Sequence, residues 1–167
     1  MIGSMMKMIP KKKMIGIASS MTGVITDMSS NPMTKGNPVT IIARKVMNKE
    51  TRKREPQVLF CYKKPEGGMV QYQAWNKDGV NDLMDAKGKM MVNMLAPAIM
   101  KLISRYEKEK NNGYPMEFHI RNKEIDEEIT ASIELVKLMP VENEDGSTGV
   151  RREVDSEMKF LELINHI

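Results

Sequence analysis

Polar and apolar residues alternate along several short stretches in the first half of the chain. This two-residue period is typical of β-strands that bury one face. We predict four strands, at residues 14–28, 39–47, 58–63 and 69–75. Turn-forming residues fill the gaps at 29–38 and 65–68, and residues 48–56 are predicted to form a charged loop. The first half is therefore predicted to be an antiparallel meander.

The second half of the chain alternates less regularly. Residues 89–95 fit either a buried strand or a helix, and Pro97 suits the first position of a helix. Apolar residues then recur at helical spacing, at Ile99, Leu102, Ile103 and Tyr106. Residues 111–113 end this helix, since Asn-Asn-Gly is a stop signal. Residues 116–121 and 129–138 are predicted to form a second hairpin.

These elements predict a mainly β fold with added helices. We expect a flexible basic arm at residues 1–13, a domain at 14–139, a linker or long loop at 140–154 and a C-terminal helix at 155–167. A chain of 167 residues is long enough for one domain with a substantial core.

Apolar runs and cysteine usage indicate the compartment. No apolar run approaches the roughly 18 residues of a membrane span, so we expect no membrane partner. Cys61 is the single cysteine, which excludes an intrachain disulfide and fits a reducing environment. We expect an intracellular protein, located in the cytoplasm or, if it is viral, in the host cell.

Charge is distributed unevenly along the chain. Residues 1–64 contain thirteen Lys/Arg and three acidic residues, a net charge of +10, whereas residues 65–167 contain thirteen Lys/Arg and nineteen acidic residues, a net charge of −6. An asymmetry of this size usually reflects the binding partner and not the fold. The basic first third therefore predicts a polyanionic ligand.

The motifs of common enzyme classes are missing. The sequence contains no phosphate-binding loop and no dinucleotide-binding glycine fingerprint. Two histidines and one cysteine are too few for a Cys/His zinc site. Cys61 and His119 could form a nucleophile pair, but the position of Cys61 in an alternating strand favours a buried structural thiol. We expect no catalytic activity, no cofactor and no metal.

Carboxylates are the remaining candidates for catalysis. Residues 124–128 contain an acidic run, and Asp82 and Asp85 precede it. A solvated acidic turn explains the run, whereas a two-metal nuclease site needs carboxylates that converge from separate elements. A nuclease is therefore the least favoured of three interpretations.

Basic and aromatic residues are interleaved in the meander, and four of the eight aromatic residues lie within residues 60–75. Single-stranded nucleic acid is held by phosphate contacts to Lys and Arg and by base stacking on aromatic faces. The candidate binding residues are Lys35, Arg44, Lys45, Lys49, Arg52, Lys53, Arg54, Tyr62, Lys63, Lys64, Tyr72 and Trp75. Trp75 is the expected stacking platform, because alternation places it on a polar strand face.

The first 76 residues also resemble the oligonucleotide-binding (OB) domains of single-stranded DNA-binding proteins. The resemblance rests on residues 22–27 as first strand, 33–38 as connecting loop, 39–44 as second strand and 70–76 as third strand. It implies a five-stranded antiparallel barrel whose second and third strands meet the ligand. To this barrel the chain adds a basic hairpin extension, one central helix and the C-terminal helix.

Two functions from different classes follow. The first is sequence-tolerant binding of single-stranded nucleic acid, DNA in the first instance, during replication or recombination, in a viral system for example. Its expected partners include further copies of the chain and replication proteins that contact the C-terminal segment. The second is a protein-interaction or assembly module that pairs the basic half with an acidic surface.

Overall fold

The computed structural model describes residues 10–32, 34–64, 66–73 and 84–167. Its helices and strands are, in chain order, α1 Lys11–Ser29, β1 Thr40–Met47, β2 Arg54–Lys63, β3 Met69–Gln73, α2 Ala86–Lys110, β4 Met116–Ile125, β5 Glu128–Glu142, β6 Thr148–Lys159 and α3 Phe160–Ile164. The prediction of a mainly β fold with added helices is confirmed.

The described strands form one antiparallel sheet in the order β3-β2-β1-β4-β5-β6. The two central strands are β1 and β4, in which Ile41 lies opposite Ile120. The sheet therefore has six described strands, and hydrogen bonds do not close it between β3 and β6. Each half of the chain follows the same plan, since α1 precedes β1–β2–β3 and α2 precedes β4–β5–β6.

The first predicted strand, at residues 14–28, is wrong because this segment lies in α1. The buried residues of α1 recur at intervals of three and four, at Met14, Ile17, Ala18, Met21, Ile25 and Met28. Burial of this stripe overrides the β-propensity of Val24, Ile25 and Thr26. Lys11–Lys13, which we assigned to a flexible arm, form the first turn of the helix.

The helix α2 settles the alternative left open for residues 89–95, which are helical. The Asp85 carboxylate accepts a hydrogen bond of 2.8 Å from the Gly88 backbone N–H and caps the helix. Pro97 lies inside α2 and not at its first position. The predicted stop at residues 111–113 is correct, because α2 ends at Lys110.

The last predicted elements need correction. The segment at 140–154 is not a linker, because β5 and β6 pair through it as a hairpin that turns at Gly146, with φ of +83°. The C-terminal helix begins at Phe160 and not at residue 155, since β6 runs to Lys159. The second predicted hairpin is confirmed as β4 and β5.

The helices pack on one face of the sheet and build the core there. Alternate residues of the central strands face them, including Ile41 in β1, Phe60 in β2 and Phe118 in β4. Within the described ranges, none of the helices combines the length and the apolar character that a membrane crossing needs.

Candidate nucleic-acid interface

The opposite side of the sheet, which we call the outer face, carries the polar residues of the central strands. Side chains alternate along a strand, so neighbours of core residues point away from the helices. In β1, β2 and the adjoining strand β4, the outer-face residues include Thr40, Ile42, Arg44, Gln57, Leu59, Cys61, Lys63, Glu117, His119 and Arg121. Whether a predicted site residue belongs to the candidate interface therefore depends on whether it is accessible from this face.

Lys45 and Arg54, which the sequence predicts to contact phosphate, instead hold α2 against the sheet. Arg54 donates hydrogen bonds of 2.7 Å to each carboxylate oxygen of Glu107 in α2. The Lys45 ammonium group donates to the Ser104 hydroxyl in the same helix. Glu107 is buried and also accepts from the Met116 backbone N–H at 3.0 Å. Lys45 and Arg54 therefore have structural partners, and we remove them from the candidate interface.

A buried carboxylate organises the centre of the outer face. Glu117 in β4 is 1% exposed and accepts hydrogen bonds from three side chains. Arg44 in β1 donates at 3.1 Å, Arg152 in β6 at 3.2 Å and His119 Nε2 at 2.9 Å. Burial acts to raise the pKa of Glu117, but the hydrogen bonds from His119, Arg152 and Arg44 outweigh it and lower the pKa to about 2.

Sequence patterns identified Arg44 but missed its partners. Arg44 is fixed twice, by Glu117 and by a 2.7 Å bond from its Nε to Gln57. Glu117, His119 and Arg121 alternate with apolar residues along β4, and this alternation was the available signal. Arg152 could not be found in this way, because it lay in the predicted linker.

Six predicted cations are exposed and form no ion pair with any residue that the structure describes. Three lie around the β1–β2 turn and form the turn group, Lys49, Arg52 and Lys53. Three lie at the other end of the hairpin and form the loop group, Lys35, Lys63 and Lys64. The eight residues of β1 separate the groups by roughly 26 Å. The predicted cations thus form two patches and not one.

A shallow pocket of about 550 Å³ lies on the outer face beside the loop group. Its lining includes Asn37, Thr40, Ile42, Lys63 and His119. The pocket shows that Lys63 and the loop before β1 converge on one surface. It is a concavity of the outer face.

The three aromatic residues predicted to stack on bases, Tyr62, Tyr72 and Trp75, have different outcomes. Tyr62 is 6% exposed and belongs to the core, so it presents no ring for stacking. The backbone of Tyr72 pairs with Phe60 in the sheet. Trp75 lies outside the described residues.

The structure gives no support to the catalytic alternatives among the described residues. Cys61 in β2 and His119 in β4 are separated by β1 and do not form a hydrogen-bonded pair. Burial raises the pKa of the Cys61 thiol, which disfavours a nucleophilic thiolate.

The candidate carboxylates that the structure describes lie in the β4–β5 hairpin, where Glu124 and Glu128 are in the strands, and in a helix cap. Asp126 and Glu127 form the β4–β5 turn with φ of +53° and +67°, as predicted for a solvated acidic turn. Asp85 caps α2, and Asp82 lies outside the described residues. Nowhere in the described ranges do three His, Cys, Asp or Glu residues converge as a metal site would require.

Family models, curated proteins and solved structures were compared with the chain, and none matches it. The architecture and the surface charges of the chain are therefore the basis for inferring a function.

Proposed function

We propose that this chain binds single-stranded nucleic acid along the outer face of the β1–β2 hairpin. The observation that carries the proposal is the presence of three exposed, unpaired cations at each end of this hairpin, counted among the described residues. A polyanion gains most from cations that the protein's own carboxylates do not neutralise. The turn group and the loop group are therefore the phosphate sites of the proposal.

The hairpin determines the path between these two sites. A nucleic-acid strand that spans the roughly 26 Å of β1 contacts both groups and passes over Arg44 and the pocket beside Thr40. Arg44 keeps part of its surface accessible, at 26% of the side chain, although it bonds to Glu117. This path occupies several nucleotides, within the range of roughly 4–16 known for OB-type sites.

Stacking is the second contribution that this class of binding needs. The outer-face positions of β1, β2 and β4 carry no Phe, Tyr or Trp in the part of the chain that is described. Trp75 keeps in the proposal the stacking role that the sequence predicts for it. Tyr72 does not, because its register partner Phe60 belongs to the face that packs against the helices. Stacking contributes about 1–3 kcal/mol per base, so phosphate contacts dominate the affinity if Trp75 does not take part.

The proposal keeps only the β1–β2–β3 part of the expected OB-like barrel. Residues 40–44 of its expected second strand lie in β1 and residues 70–73 of its expected third strand lie in β3, with β2 between them. Residues 22–27, its first strand, are helical in α1. What supports binding is therefore the β1–β2–β3 meander with its charges. Single-stranded DNA exposed in replication or recombination is the proposed ligand.

A titration of labelled oligonucleotides by fluorescence anisotropy tests the proposal. We expect single-stranded DNA to bind more tightly than the same sequence as a duplex, with affinity that falls steeply between about 50 and 200 mM salt. Single-stranded RNA is the comparison ligand. Trp75 is the only tryptophan, so quenching of intrinsic fluorescence reports base stacking directly. Equal binding of duplex and single strand, or affinity that does not change with salt, would overturn the proposal.

A further inference from the structure

The strand β6 ends the sheet on one side, and its outer edge is exposed. Eleven of its twelve residues, all of Thr148–Lys159 except Asp155, pair with β5, and none pairs with another described strand. Val150 and Val154 lie on this edge strand at 59% and 53% exposure. Long edge strands offer unpaired backbone groups to other strands, and natural proteins usually protect them with charged or bulged residues. The strand β6 has such charges and a bulge at Asp155, but its regular part before the bulge also carries these two exposed valines, which a second strand would cover.

The sequence of this edge is complementary to itself. When two β6 strands run antiparallel with Arg152 at the centre, Val150 of each copy lies opposite Val154 of the other. In the same register Arg151 lies opposite Glu153, twice. Cross-strand apolar pairs and opposite charges both stabilise a sheet. We propose that two copies of this chain pair through β6 in this register.

Neighbouring registers that keep the same faces together are less favourable. Centring the pair on Arg151 or on Glu153 places a like charge opposite itself, as the central register does with Arg152, and in addition separates the two valines from each other. A shift centred on Val154 places Glu153 opposite Asp155. The bulge at Asp155, which has no partner in β5, ends the regular edge immediately beyond Val154.

The central register also places Arg152 opposite its copy, but part of that charge is compensated within the chain. Arg152 donates to both carboxylate oxygens of Glu117, at 3.2 and 3.4 Å, within its own chain. Glu117, which Arg152 shares with Arg44, thus reduces the repulsion at the two-fold axis. The symmetric pair forms one continuous sheet with both outer faces on the same side, which extends the surface proposed above for nucleic acid. The pairing itself does not depend on that function.

Sedimentation velocity over a wide concentration range, without nucleic acid, tests the pairing. We expect the unmodified chain to dimerise as concentration rises. Arg151→Glu should weaken the dimer about tenfold or more, because it creates two Glu–Glu pairs. Adding Glu153→Arg to the same chain should restore the dimer, since the charges are then exchanged. Val154→Lys should weaken it as well, whereas Ile129→Lys, at an equally exposed site on β5, should not.

Circular dichroism and thermal unfolding of each variant establish that it is folded. A chain that stays monomeric at every concentration contradicts the proposal. So does a dimer that is unchanged by Arg151→Glu and Val154→Lys, or a double variant that remains as weak as Arg151→Glu alone.

Discussion

Arg54, at the start of β2, donates two hydrogen bonds of 2.7 Å to the buried carboxylate of Glu107 in α2. This ion pair joins the basic hairpin to the helix layer, and the hydrogen bond to Glu107 raises the pKa of Arg54 above its ordinary value. An arginine that counts toward the basic charge of the first third is thus a structural residue.

Removal of this arginine should destabilise the fold. We expect Arg54→Ala to lower the free energy of unfolding by about 2–3 kcal/mol, because it leaves a buried carboxylate without its charged partner. Arg54→Lys should recover only part, since an ammonium group cannot make both bonds in the same geometry. Urea unfolding measures this. Lys53→Ala, next in the chain and exposed, is the control and should change stability by less than about 0.5 kcal/mol. Equal stability of Arg54→Ala and the control would exclude a structural role.

The low pKa of Glu117 makes stability depend on pH. The folded pKa is about 2 and the ordinary value is 4.5, so the unfolded chain binds the proton more readily. The stabilisation is therefore fully present above pH 4.5 and is lost as the pH falls toward 2. It is worth on the order of 3 kcal/mol.

Glu117→Gln should remove most of this dependence. We expect the variant to be less stable than the unmodified chain at neutral pH and to lose less stability between pH 4.5 and 2. Thermal unfolding at a series of pH values measures the difference. Glu128→Gln, at the start of β5, serves as the control for loss of one carboxylate. An acid-unfolding profile of Glu117→Gln that parallels the unmodified chain would contradict the assignment.

Cys61 should be inert in the folded protein. It is buried, and burial raises its thiol pKa, so both access and thiolate formation are suppressed. We expect alkylation at mildly alkaline pH to be at least about a hundredfold slower in the native chain than in denaturant, because it requires local opening. Mass spectrometry against time measures the rates. Native labelling as fast as in denaturant would refute a structural thiol.

Short-range patterns predicted the hairpins well and the first element wrongly. The strands β1, β2, β4 and β5 combine alternation with turn signals between them, and local residues determine both. In α1, the segment Val24-Ile25-Thr26 favours a strand locally, but the stripe from Met14 to Met28 can be buried only as a helix. Tertiary packing decided that competition.

The sequence predicted the basic charge of the candidate site but not which of its cations are free to bind phosphate. Counting identifies a basic hairpin, but Arg54 and Lys49 look alike until the acidic partner of Arg54 is known. That partner, Glu107, lies 53 residues away along the chain. Partners so distant follow from the fold, so the sequence could not separate phosphate sites from structural ion pairs.

The salt dependence of single-stranded DNA binding by two triple variants tests the central claim most directly. One replaces the turn group, Lys49, Arg52 and Lys53, with Gln, and the other replaces the loop group, Lys35, Lys63 and Lys64. The control replaces Lys12, Lys13 and Lys87, which are exposed on the helices. We predict that each test variant binds more weakly and flattens the slope of log K against log salt by about 2, since single strands give about 0.7 per phosphate contact. The control should leave the slope unchanged. Equal slopes in all four proteins would contradict a phosphate path between the two groups.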